Sequence, residues 1–228
     1  MKVVVIVGGS VLVPTVEPDR VAAYAGVFEE LSDAGHDLGI VVGGGPTARE
    51  YIGVARELGA NEIELDQLGV AATRMNARLL IAALDDRAAP TPPEDHETAR
   101  NAIRRGDIPV MGGTVAGHTT DAVGTALAEY IDADLLVYAT SVSGVYDADP
   151  DRDRGATKFE TLSPGDLVDI VREIEMDAGS NTPVDLLAAK LLQRSGLRAA
   201  VIDGTEPDVV LDAVAGDHDG TDITPNME

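Results

Sequence analysis

Five stretches of the chain are apolar almost without a break: Lys2–Val7, Asp37–Val42, Ile108–Met111, Leu135–Ala139 and Arg198–Asp203. None alternates between apolar and polar positions, which is the pattern of parallel strands buried on both faces. Between them the apolar period changes to three or four residues, the mark of helices packed on a sheet. Helices are predicted over Pro18–Ala34 and Pro46–Leu58, ended by Gly35 and Gly59. Gln67–Leu84 follows, with a stripe of Leu68, Ala72, Met75, Leu79 and Ala83, and then Thr98–Arg105 and Ala122–Ile131. A short helix opens at Ser163–Asp166, and Val184–Ser195 and Glu206–Ala215 complete the set. Val11–Thr15 reads as a loop, Ala88–Pro93 as extended chain, and Gly220–Thr224 as a short edge strand closing the sheet. Strands alternating with helices predict a three-layer α/β/α sandwich with a mostly parallel central sheet and right-handed crossovers. No low-complexity linker interrupts it, so the expectation is one domain of two lobes.

Three of the strands run into glycine. The first ends in Gly8-Gly9-Ser10 and the second in Gly43-Gly44-Gly45, just ahead of Pro46 and Arg49. The third enters Gly112-Gly113-Thr114-Val115-Ala116-Gly117-His118-Thr119-Thr120-Asp121. Glycine lets backbone amides approach a ligand closely, and a helix start adds free N–H groups and positive dipole. Ligands of open parallel sheets collect at the carboxyl ends of the strands, so the three turns together predict one large polyphosphate site. Each feature also has a plainer reading. Thr120 or Asp121 can cap the helix that follows, and Asp66 can cap the helix at Gln67. Arg49 can be a solvated helix residue, and His118 can make a structural hydrogen bond. Tyr51 and Tyr130 read as packing residues.

Composition alters this picture in two respects. Among 228 residues there are 40 acidic and 17 basic ones, a net charge of −23, and the acids are dispersed along the chain. That balance argues against nucleic-acid binding, which draws on Lys and Arg at phosphates, and suits a protein adapted to molar salt. Cysteine is absent, which excludes disulfides and thiolate metal sites. No run is long and apolar enough to span a bilayer and no signal-peptide pattern opens the chain, so the expected address is cytoplasmic, with no membrane partner. Asp147, Asp149, Asp151 and Asp153 lack the glycine and distal glutamate of a calcium loop and read as solvated.

The ordered set Val7-Gly8-Gly9-Ser10, Gly43 to Ile52, Gly117 to Asp121 and Thr140 to Pro150 resembles the amino acid kinase family, most closely its archaeal UMP kinase branch. The resemblance reaches as far as Gly220-Thr221-Asp222-Ile223. It implies transfer of the γ-phosphoryl of ATP to UMP, with Mg²⁺ carried on the nucleotide phosphates rather than by metal ligands of the chain. It also implies a homohexamer, a UMP-binding lobe over about 1–133 and an ATP-binding lobe over about 134–228. By resemblance Gly9, Ser10, Gly45 and Arg49 meet the ATP phosphates, while Thr140, Ser141, Tyr146 and Asp149 form the adenine and ribose side. Gly44, Asp66 and the loop of Thr114, Val115, Ala116, Gly117, His118, Thr119 and Thr120 meet UMP. Asp121 and Asp185 match acidic positions near the transfer centre, with Arg49 and Lys190 as candidate cations. Ile6 stands where many members of the family carry a lysine, and Ser141 and Ser143 stand where relatives usually have Asn and Asp. The alternatives are a kinase of the same fold acting on isopentenyl phosphate or an acyl phosphate, and a nucleotide-sensing protein without turnover.

Overall fold

The computed structural model describes residues 1–150, 152–176 and 182–225. Its centre is a seven-stranded sheet in the order β3-β2-β1-β4-β6-β7-β5. β1 (Lys2–Val7), β2 (Asp37–Val42), β3 (Val110–Met111), β4 (Leu135–Thr140) and β6 (Ala199–Asp203) are mutually parallel, and β7 (Thr221–Ile223) runs antiparallel to β6. β5 (Thr161–Leu162) lies parallel to β7 at the far edge. The carboxyl-terminal strand is therefore internal, not the closing edge expected from sequence. A two-residue strand outside it carries too short an apolar pattern to be read.

Side chains alternate across β1 and make two cores. Val3, Val5 and Val7 pack with Tyr24, Phe28 and Leu31 of α2 (Pro18–Asp33), with Leu80 and Leu84 of α4 (Glu62–Leu84), and with Val210 of α9 (Val209–Ala215). Val4 and Ile6 pack on the other side with α5 (His96–Arg105), α6 (Thr120–Tyr130), α7 (Pro164–Met176) and α8 (Leu186–Ser195). The remaining helices are α1 (Gly9–Leu12), a single turn where a loop was expected, and α3 (Gly45–Glu57). The mostly parallel sheet flanked by helices on both faces matches the expected fold class.

Two local differences bear on the site. α4 starts at Glu62, five residues before the expected start, because Asn61 and Glu64 cap each other's amides: the Glu64 N–H donates to Asn61 Oδ1 at 3.1 Å and the Asn61 N–H to Glu64 Oε2 at 2.8 Å. Asp66 thus lies inside the helix and caps nothing. The inward face of α4 also differs from the expected stripe, since Leu65, Ala72, Thr73, Asn76, Ala77 and Leu80 are buried while Met75 and Leu79 are exposed. Tyr51 is likewise exposed rather than packed, whereas Tyr130, though partly exposed, packs its ring beneath the Arg100 guanidinium at 4.4 Å.

Candidate active site

The carboxyl ends of β1, β2 and β4 meet the starts of α1, α3 and α6 around two adjoining cavities of about 300 and 480 Å³. The larger one lies between α4, α3 and the loop before α6. Asp66, Thr73, Gly113, Gly117, His118 and Thr119 line it. The smaller one is walled by Gly9, Ser10, Asp121, Thr140, Ser141, Tyr146 and Asp149. Gly44, Gly45, Arg49 and Thr120 belong to both, so the cavities share one wall.

The glycines are there because nothing larger fits. A Cβ on Gly9 would come within 2.1 Å of the Gly45 nitrogen, and one on Gly44 within 2.4 Å of Ala48 Cβ. Gly45 itself has φ +59°, the left-handed region that side chains disfavour. The first two turns therefore press backbone on backbone. Arg49, on the first turns of α3, reaches across and donates to Ser10 Oγ at 3.2 Å. Ile6, by contrast, is core: it packs under α6, where a Cβ on Gly124 would lie 2.3 Å from its Cγ1. The cation absent at that position is not restored by any side chain on β1.

The N-cap of α6 is Thr119, whose Oγ1 accepts from the Ala122 N–H at 3.1 Å, and neither Thr120 nor Asp121 takes that role. Thr119 Oγ1 also donates to Asp185 Oδ2. The other oxygen of Asp185 caps α8, accepting from Leu187 N–H at 2.7 Å and Ala188 N–H at 3.0 Å. Two helix starts are thus joined cap to cap, and that of α6, whose Thr119 and Thr120 line the cavities, directs partial positive charge towards the shared wall. Asp121 follows immediately. Burial first, and the nearby Asp185 carboxylate second, push its carboxyl up to about 7, while a hydrogen bond from the Asp185 backbone opposes them. Behind it Thr125 Oγ1 donates to the Asp121 carbonyl at 2.7 Å and pairs with the buried Tyr138 hydroxyl at 2.6 Å.

On the far side of the smaller cavity, Thr140 Oγ1 donates to the Val142 carbonyl at 2.9 Å and accepts the Val142 N–H at 3.1 Å. Gly144, at φ +148°, turns the chain so that Ser143 Oγ meets the Tyr146 hydroxyl at 2.8 Å. Serine thus serves as a hydroxyl partner to the aromatic ring in a position where an amide or acid was the comparison. Asp147 and Asp153 accept backbone N–H groups of Thr157 and Gly155, so they order the loop. Asp151 lies outside the described residues, as do Gly179, Ser180 and Asn181.

Most residues expected from sequence come together here. Thr114, Val115 and Ala116 line neither cavity, because the loop turns at Val115, leaving the cavity after Gly113 and returning to it at Gly117. Asp185 acts through its caps rather than by facing the cavities. Lys190 is exposed on α8 and lines neither. His118 is exposed on the cavity wall and makes no side-chain hydrogen bond to another described residue, which removes its structural reading. Sequence reasoning missed Thr73 and Asn76. Both are buried polar residues inside a helix otherwise packed through apolar groups, and the apolar period conceals them.

Comparison with known proteins agrees with this arrangement. Residues 1–203 match the family model described as the amino acid kinase family. The chain is 66% identical to the uridylate kinase of Haloarcula marismortui, over 99% of both chains. It is 48% identical to that of Methanocaldococcus jannaschii, over 98% of this chain and 99% of the relative. The crystal structure of uridylate kinase from Archaeoglobus fulgidus superposes with a TM-score of 0.89 at 46% identity, covering 98% of this chain and all of the other. A continuous sheet ending in three glycine turns, with paired cavities at its carboxyl edge and a full-length match in sequence and structure, makes this chain a member of the amino acid kinase family.

Proposed function

We infer that the protein is a UMP kinase, transferring the γ-phosphoryl of ATP to UMP to give UDP and ADP. The observation that carries this is the shared wall: two cavities on either side of Gly44, Gly45, Arg49 and Thr120 suit a donor and an acceptor whose phosphates meet there. The names printed for full-length relatives point to the same substrates. A sensor needs one such cavity, not two facing each other.

In this reading the cavity of Asp66 and His118, in the amino-terminal lobe, takes UMP. The cavity of Thr140, Ser141, Tyr146 and Asp149, towards the carboxyl-terminal lobe, takes ATP. An oxygen of the UMP phosphate is already anionic and needs no strong base. It forms a bond to the γ-phosphorus while the bond from that phosphorus to the bridging oxygen of ADP breaks, and the bridging electrons leave with ADP. The chain contributes alignment and charge stabilisation. Arg49 donates to the transferring group, while the amides of the first two glycine turns and the starts of α3 and α6 supply the remaining positive potential. Asp66 accepts from ribose hydroxyls, since an ionised carboxylate is acceptor-only and repels phosphate.

The ATP phosphates would carry any Mg²⁺ into the site. The described residues hold no group of three or more His, Asp or Glu suited to a metal, and Asp121 and Asp149 are the carboxylates facing the donor cavity. Those two would meet a nucleotide-borne ion, which when bound neutralises charge on the phosphates.

The described residues contain no helix long and apolar enough to cross a membrane. We place the enzyme in the cytoplasm of a salt-adapted cell, as a homohexamer. Exposed Tyr51 and Val54 on α3, Leu58 just beyond its end, and Met75 and Leu79 on α4 support self-association through those helices. The test of function is a coupled ADP-release assay in concentrated potassium chloride with a panel of acceptors. UMP should turn over fastest; faster turnover of CMP, AMP, isopentenyl phosphate or acetylglutamate overturns the reading.

A further inference from the structure

Asn76 is 3% exposed, in the middle of α4, where asparagine is a poor helix former and a buried carboxamide must be satisfied. Its Nδ2 donates to the Gly43 carbonyl at 2.8 Å and to the Gly44 carbonyl at 3.2 Å. Those carbonyls belong to the second glycine turn, in the wall between the two cavities. Every described peptide bond is trans, so each C=O points opposite to the N–H of the residue that follows it. Holding the Gly43 and Gly44 oxygens against α4 therefore turns the Gly44 and Gly45 N–H groups away from α4. Neither amide donates to another described residue. Gly44 and Gly45 both line both cavities.

We propose that Asn76 is the positioning residue that fixes two backbone amides of the second glycine turn as anion donors at the centre of phosphoryl transfer. The proposal rests on the kinase reading above. The need for such a device follows from the charge inventory of the wall. Ile6 is core, Lys190 faces solvent, and among the described residues Arg49 is the one side-chain cation shared by both cavities. Backbone amides must carry much of the remaining load, and successive N–H groups directed into a concavity bind phosphate well only while their peptide planes are held. Glycine supplies the close approach but also the freedom to flip, since it adopts both signs of φ. A carboxamide reaching two consecutive carbonyls removes that freedom without occupying the cavity.

Thr73, one turn earlier, makes a natural comparison. Its Oγ1 accepts the Gly113 N–H at 2.7 Å and donates to the Val70 carbonyl at 2.6 Å, and Gly113 lines the acceptor cavity alone. Both residues are buried polar groups of one helix. They differ in which cavity their backbone partner serves.

The experiment is calorimetric titration of ADP and, separately, of UMP into wild type, Asn76→Leu, Asn76→Asp and Thr73→Val in concentrated potassium chloride, with melting curves on each. Leucine keeps the branching and number of heavy atoms, in a bulkier side chain, and removes both donors; ionised aspartate conserves shape and replaces the donors by acceptors. Either Asn76 variant should weaken both ligands about ten-fold or more, the loss expected when charge-assisted bonds to phosphate are misdirected. Thr73→Val should weaken UMP alone. A folded Asn76 variant that binds both ligands within about two-fold of wild type overturns the proposal. So does one that loses only one ligand, or a Thr73→Val protein that loses both equally, since loss of a buried hydrogen bond in α4 would then account for everything. If Asn76→Leu does not fold, the isosteric Asn76→Asp decides. Wild type that fails to bind UMP refutes the kinase reading by itself, and the ADP arm then still decides whether Asn76 aims the turn.

Discussion

Asp121→Asn is expected to make the protein more stable, and by an amount that depends on pH. The wild-type carboxyl is raised from the ordinary 3.8 to about 7 by burial and by the Asp185 carboxylate. At about 1.36 kcal/mol per pKa unit, ionising it in the folded protein costs roughly 4 kcal/mol. The sign follows from proton binding. Between about pH 4 and pH 7 the folded chain holds a proton here that the unfolded chain has released, so this group's contribution to stability falls as pH rises through that window. Below it both states are protonated, above it both are ionised, and the contribution is flat at either end. Asparagine keeps the shape and can accept the hydrogen bond from the Asp185 backbone, but it has no proton to lose. The assay is guanidinium unfolding of both proteins from about pH 4 to pH 8 at one fixed concentration of potassium chloride. Titration of the carboxylates remote from Asp121 and Asp185 is common to the two chains and cancels in the difference. The stability difference should be small near pH 4, grow through the window and level off above pH 7 near 4 kcal/mol in favour of the variant. A difference that stays constant across the range refutes the reasoning, because Asp121 would then ionise like an ordinary carboxylate.

Arg49→Ala should lower turnover about ten-fold or more at saturating substrates, since a charge-assisted hydrogen bond contributes about 1.5–3 kcal/mol, whereas Lys190→Ala should leave it near wild type. Equal effects of the two would remove Arg49 from its special place. Asp66→Asn should raise the KM for UMP and shrink the preference for UMP over 2′-deoxy-UMP, read as the ratio of specificity constants, while ATP is little affected. An unchanged ratio would hand sugar recognition to another group. The dispersed net charge of −23 should make the melting temperature rise with potassium chloride, most steeply at low salt where self-repulsion is least screened; a flat curve would contradict it.

The elements that sequence made legible are those whose surroundings are uniform. β1, β2 and β4 are buried on both faces, so apolar runs declare them, and glycines beyond their ends mark where backbone meets backbone. α4 shows why the reading stops short. Part of its buried face is polar, because Thr73 and Asn76 hold backbone groups of two glycine turns, so an apolar stripe drawn through Met75 and Leu79 selects a face left exposed. Its start was hidden as well: the Asn61–Glu64 reciprocal cap is an Asn-x-x-Glu signal that the periodic pattern, beginning later, outweighed. The glycine turns and Arg49 could be found from spacing, but the joining of Thr119 to Asp185 could not, because 66 residues separate them and only the fold brings α6 and α8 together. Ile6 was readable both as a missing lysine and as part of a buried strand, though not as the residue for which Gly124 leaves room.

The central claim is that the two cavities are donor and acceptor subsites meeting at one wall. A crystal structure with UMP and a non-hydrolysable ATP analogue tests it most directly. UMP should lie against Asp66 and His118, the adenine nucleotide against Thr140 and Tyr146, and the two phosphate chains should approach one another beside Gly44, Gly45 and Arg49. Nucleotides in the opposite cavities, or phosphates that point away from that wall, would contradict the account.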